Sequence, residues 1–177
     1  MCGWRIFPTL DAAKILYLKR TGLEQSGCRY LSTIEIVNQY LTGQVVIDPT
    51  NAAIRQLMDI RTAKWDPRML EALGISPDQL PEIRPTGALV GGLTASSAHA
   101  LGLAEGLPVF NGAHDQYCAS IGAAAIHEGD MLLSAGTTWV ILGLGKQLLY
   151  SSSFIAPSIH PVPGLYGAMA SLSGTGI

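Results

Sequence analysis

No run in the 177 residues reaches the roughly 18 uninterrupted apolar positions that a membrane-spanning helix requires. The richest stretch, Met131 to Leu144, is broken by Ser134, Gly136 and two threonines. The start, Met1-Cys2-Gly3-Trp4-Arg5 followed by Pro8 and Asp11, lacks the apolar core of a signal peptide. Charge is scarce: 14% of residues are Asp, Glu, Lys or Arg, against about 25% in an average soluble domain. A net charge of −2, a pI near 6.0 and scattered basic residues leave no electrostatic footprint for nucleic acid. Cysteine is limited to Cys2, Cys28 and Cys118, an odd number without metal-ligand spacing, which fits reduced thiols in a cytoplasmic protein. Internal repeats and low-complexity segments are absent as well.

What is abundant is apolar surface. At 48% hydrophobic residues and a mean hydropathy of +0.30, the chain carries more than one core of its size would cover, so part of that surface is expected to lie against something else. Helix signals alternate with strand signals. Thr9 is a candidate cap for a helix over Leu10 to Lys19, with Leu10, Ala13, Lys14, Tyr17 and Leu18 on one stripe. Ser32-Thr33-Ile34-Glu35 reads as a capping box for a helix bearing Ile36, Val37, Tyr40 and Leu41 and ending at Gly43. Asp66-Pro67 and Gly74 bracket a third helix, Ser76-Pro77 starts a short turn, and Thr94 opens a helix ending at Gly102.

Beyond Pro108 the candidate chemistry appears. Val109-Phe110-Asn111 predicts a buried strand running into Gly112-Ala113-His114-Asp115-Gln116, and the small side chains from Gln116 to Ala125 predict a helix packed inside the molecule. Nineteen residues after Asp115, Ser134-Ala135-Gly136-Thr137-Thr138 joins two apolar runs, Met131 to Ser134 and Trp139 to Leu142, as a hairpin. Further strands are expected near Phe154 and Tyr166. An Asp at a helix start is commonly just a cap and a Gly-Thr turn commonly just a turn. Together they supply two needs of phosphoryl transfer: a carboxylate to accept the proton of an attacking hydroxyl, and a backbone loop that a phosphate can approach.

The order Gly91-Gly92-Leu93-Thr94, Gly106-Leu107-Pro108-Val109, Gly112 to Asp115, Ile121-Gly122 and Ser134 to Thr138 resembles the middle of the FGGY carbohydrate kinases, most of all their xylulokinase-like members. Upstream, Leu41-Thr42-Gly43, Asp48, Asp59, Trp65, Leu70 to Ile75 and Leu80-Pro81 are similar to the same family, so the resemblance extends over nearly the whole chain. Thr9 to Leu18 is similar to the family's first signature, with Asp11 where Pro, Ser or Thr is usual and Tyr17 where Trp is usual. Its signature lysine falls on Lys14. The family's Asp-x-Gly-Thr hairpin and its Gly-rich adenosine site have no counterpart here, so the chain is expected to be an internal fragment.

The resemblance implies an α/β, ribonuclease-H-like fold of the actin and hexokinase ATPase type, incomplete: the later part of a first, sugar-binding domain at 1–128, with a connecting helix from about 115, and the start of a second, nucleotide-binding domain at 129–177. It implies transfer of the ATP γ-phosphoryl to a sugar or polyol hydroxyl, with Mg²⁺ on the phosphates. Asp115 would be the catalytic base, Gln116 and His114 would contact the sugar, and Gly136, Thr137 and Thr138 would lie along the nucleotide phosphates. No residue set is spaced for a metal of its own. Trp139 is expected in the core, and His99, His127 and His160 at the surface or at helix ends. Alone the chain is expected to be inactive; a noncatalytic sugar-binding or regulatory module and one subunit of a split kinase are the alternatives. Self-association, or a complementary chain, would cover the surplus surface, and order is expected to be weakest after Ser151.

Overall fold

Caps and stops set the elements. The computed structural model describes residues 2–4, 7–149 and 155–173. In chain order these form α1 (Asp11–Arg20), α2 (Thr33–Thr42), β1 (Val46–Ile47), α3 (Pro49–Ile54), β2 (Met58–Asp59), β3 (Lys64–Trp65), α4 (Pro67–Leu73), β4 (Glu82–Ile83), β5 (Leu89–Gly92), α5 (Ala95–Leu101), β6 (Pro108–Phe110), α6 (Asp115–Gly122), β7 (Met131–Ala135), β8 (Thr138–Gly145), β9 (Ala156–Ile159) and β10 (Tyr166–Ser173). Asp66 caps α4 through the Arg68 N–H and Gly74 ends it in a left-handed conformation. Thr94 caps α5, and Gly102 ends it the same way. Residues 77–79 make the single 3₁₀ turn expected after Ser76.

The helix stripes differ from the sequence reading. α1 starts one residue later than expected, with Leu10 rather than Thr9 at the cap position, and it buries Ala12 and Ile15 while Tyr17 stays 62% exposed. α2 is turned inside out relative to its apolar pattern. Ile36, Val37 and Tyr40 face solvent, and Glu35, Asn38 and Thr42 are buried.

The cause is Arg55, just past α3 and buried. Its Nε donates to Asp11, its Nη1 lies 3.4 Å from Glu35 Oε2, its Nη2 donates to the Tyr30 carbonyl at 2.9 Å, and its guanidinium sits 5.9 Å from the Trp65 ring centroid. Glu35 also accepts the Ser32 amide at 2.6 Å and hydroxyl at 2.9 Å. A buried guanidinium without carboxylates would cost several kcal/mol, so its demand outweighs the gain from turning the half-buried apolar side of α2 inward. Asp11, unusual for the family's signature, is here one of Arg55's partners.

Strands form four small sheets. β1 pairs parallel with β4, and β2–β3 and β5–β6 are antiparallel pairs. The largest sheet is antiparallel in the order β7-β8-β10-β9. One of its faces buries Val140, Leu142, Leu144 and Met169 beneath Tyr117 of α6. On alternate positions Met131, Leu133, Trp139, Ile141 and Leu172 are exposed, so Trp139 is not in the core as expected: the period of two in β8 turns it to the uncovered side. This bare face is where part of the apolar surplus lies.

β6 is as long as the predicted strand but begins one residue earlier and is wetter. Phe110 is 60% exposed and only Asn111, just beyond the strand, is buried, donating to the Arg84 carbonyl at 2.8 Å. The expected strand near Tyr166 is β10; Phe154 lies outside the described residues. The weaker order foreseen after Ser151 falls partly on 151–154 and 174–177, also outside them, whereas 156–159 and 166–173 are strands.

Candidate active site

Gly112 to Gln116 leave β6 and turn into α6, putting Asp115 at the first helical position and His114 at the cap. The Asp115 side chain is 80% exposed, and its Oδ1 accepts the Gln116 amide at 2.6 Å. His114 Nδ1 lies 3.1 Å from the same oxygen, and burial lowers the His114 pKa, so the ring is neutral and its Nδ1 is an acceptor that shares the Gln116 amide with Asp115. The Gln116 amide is 3.4 Å from Nδ1, the longer and weaker of its two contacts. Gln116 Oε1 is buried without a partner among the described residues. An acceptor left so gains by meeting a hydroxyl.

Gly136 and Thr137 form the turn between β7 and β8, and Thr138 begins β8; all three are exposed. A Cβ at Gly136 would meet only the Thr138 carbonyl, at 3.8 Å, so open space lies over the turn. His114, Asp115 and Gln116 are thus brought into mutual contact, while no hydrogen bond or ion pair among the described residues joins them to the Gly136 turn. What connects the two is α6 itself. Tyr117 packs on β8 and β10 with its ring edge to His160 at 5.5 Å, and His160 Nε2 is 3.0 Å from Ser120 Oγ. His160 is therefore buried, not at the surface as its sequence context suggested: its Nδ1 accepts the Val162 amide at 3.0 Å, and burial lowers its pKa. His99 ends α5 and His127 is exposed, as expected. The interior helix predicted from small residues holds on one side only, since Ala119, Gly122 and Ala123 face solvent while Tyr117 and Ser120 are buried.

Sequence reading missed the support beneath this loop. Asp48, at the end of β1, caps α3 and accepts the Thr50 amide at 2.8 Å, the Thr50 hydroxyl, and the Asn51 amide at 3.2 Å and Nδ2 at 2.5 Å. Thr50 Oγ1 in turn accepts the His114 amide at 2.7 Å. Asp48 entered the sequence reading only through the family resemblance, and neither its cap on α3 nor the reach of Thr50 to His114 was foreseen.

Among the described residues no group of three His, Cys, Asp or Glu side chains could hold a metal ion. No described helix is long and apolar enough to cross a membrane.

The mixed α/β scaffold superimposes on solved sugar kinases, which places it in the class of actin- and hexokinase-type ATPase folds. Residues 5–122 match the model for the FGGY family of carbohydrate kinases, N-terminal domain, and the chain belongs to that family. The autoinducer-2 kinase of Yersinia pestis (strain Pestoides F) is 29% identical over 154 residues, 84% of this chain and 29% of that protein. Among solved structures, a xylulose kinase from Rhodospirillum rubrum superimposes with a TM-score of 0.89 at 26% identity over 98% of this chain and 36% of the other. A gluconate kinase from Lactobacillus acidophilus does so at 0.86 and 26%, covering 95% and 35%. The chain thus spans about a third of the length of the proteins it matches.

Proposed function

We propose that this chain carries the acceptor side of a sugar kinase site: Asp115 takes the proton of a sugar or polyol hydroxyl as that oxygen attacks the γ-phosphorus of ATP. The observation that carries the reading is the exposed Asp115 carboxylate at the head of α6, held by the Gln116 amide with the His114 ring beside it, in a chain of a carbohydrate-kinase family. Gln116 and His114 hold the sugar. The open turn at Gly136, Thr137 and Thr138 receives nucleotide phosphates through its backbone. A carboxylate suffices as acceptor where positioning and charge supply most of the rate. Residues 1–128 then belong to a sugar-binding domain and 129–177 to the start of a nucleotide-binding one. Alone the chain is inactive, and a second copy or a complementary chain covers the bare face around Leu133 and Ile141.

The test has two arms. In the isotope-labelled chain, xylulose, gluconate and glycerol are titrated and backbone amides followed; shifts centred on His114 to Gln116 with at least one acceptor are expected, and none with all three refutes the reading. In a complete kinase carrying these residues, D115N lowers turnover by about 10² to 10⁴-fold with modest change in sugar affinity. Near-normal turnover would reduce Asp115 to a helix cap.

A further inference from the structure

We propose that Asp48 and Thr50 are positioning residues for Asp115, a role that rests on the acceptor-site reading above. The contacts fix the direction of every hydrogen bond. A carboxylate only accepts, so the Thr50 hydroxyl must spend its single proton on Asp48. What Thr50 Oγ1 has left is lone pairs, and these can meet only a donor, which is the His114 amide 2.7 Å away. His114 is the cap residue of α6 and its ring contacts Asp115. The hydroxyl therefore anchors the loop one residue before the base, across 64 positions of sequence.

Burial makes the anchor stiff. Asp48 is 1% and Thr50 2% exposed, and Asp48 is held by Asn51 as well as by Thr50. It sits at the end of β1, whose pairing with β4 ties it to the body of the protein. The anchor thus holds the Asp115 backbone from the side away from solvent, leaving the carboxylate free for an acceptor.

The test compares T50S, which keeps the hydroxyl, with T50V, which keeps the shape and removes it. T50V should raise the hydrogen-exchange rate of the His114 amide and weaken binding of xylulose, gluconate or glycerol, whichever shifts His114 to Gln116, each by about five- to tenfold, while T50S restores both to within about twofold. Equal binding by T50V and the parent overturns the positioning role and leaves the acceptor reading standing. Absence of acceptor-induced shifts in the parent chain overturns both. Should T50V fail to fold, T50A is read by the same two criteria, with amides of β8 and β10 reporting that the sheet is intact. Loss of binding in T50S equal to that in T50V also refutes the proposal, because the hydroxyl would then not be the operative group.

Discussion

Substituting Gly167 by alanine tests the seat of α6 on the large sheet. A Cβ on Gly167 would stand 2.6 Å from both Cε1 and the hydroxyl of Tyr117 and 2.8 Å from Leu142 Cδ1. Carbon contacts are optimal near 3.5–4.0 Å, so the tyrosine must retreat by about 1 Å. Tyr117 is 1% exposed and enclosed by Val140, Leu142, Leu165 and Met169, and it has no free direction. Overpacking of this kind costs about 1–3 kcal/mol, and the lower chain entropy of alanine when unfolded offsets about 0.4–1 of it. G167A should therefore lose about 1–2 kcal/mol, or about 2–8 °C in Tm for a chain of this length. Y117A, which empties the pocket, should lose about 3–5 kcal/mol. The double variant should cost no more than Y117A, because the new methyl enters vacated space. Urea unfolding followed by tryptophan fluorescence gives all four corners of the cycle. A neutral G167A, or costs that simply add, would show that Tyr117 does not press on Gly167 and that α6 is not locked to the sheet there.

Two further outcomes concern buried charge. His160 and His114 both have pKa values lowered by burial, so the unfolded chain binds more protons than the folded one below about pH 6.5. Stability should be full above that pH and fall as pH drops through and below it, by at most about 1.4 kcal/mol per unit for each histidine; H160Q should remove one share of that slope, and an unchanged slope would refute the role of the neutral His160 ring between Val162 and Ser120. R55M should cost about 3–5 kcal/mol by stranding Glu35, and adding E35Q should recover part of it; calorimetry showing R55M within 0.5 kcal/mol of the parent, on the order of measurement scatter for neutral surface changes, would mean that Arg55 does not govern the orientation of α2.

Local signals were read correctly where the chain decides its structure locally. Asp66-Pro67, Thr94 and Gly102 act through neighbours a few residues away, and the caps and stops stand where they were expected. The hairpin around Gly136 is likewise written in the two apolar runs that flank its Gly-Thr turn. Two of the failures share one cause, a partner distant in sequence. α2 exposes Ile36 and Val37 because Arg55 claims Glu35. His160 is interior because Ser120 and Tyr117 of α6 meet it. For the site, His114, Asp115 and Gln116 were found as a motif with capping chemistry, whereas Thr50 could not be, since a threonine at the second position of a capped helix carries no sign that a loop 64 residues on will use its oxygen.

The parallel pairing of β1 with β4 also sets an order of assembly. β7 and β8 close across Gly136 and Thr137, whereas β1 and β4 must bring Ile47 and Ile83 together around two intervening strands and two helices. By logarithmic loop scaling that closure costs roughly 2–3 kcal/mol more entropy than a turn of two residues, and it returns only two residues of ladder on each strand. Contacts of this kind are made late in folding. Thr50 lies just beyond β1 and meets His114 across 64 positions, so the oxygen that steadies the reactive loop arrives with a slow closure, and a chain still on its way to the native state holds a formed hairpin before it holds an oriented Asp115.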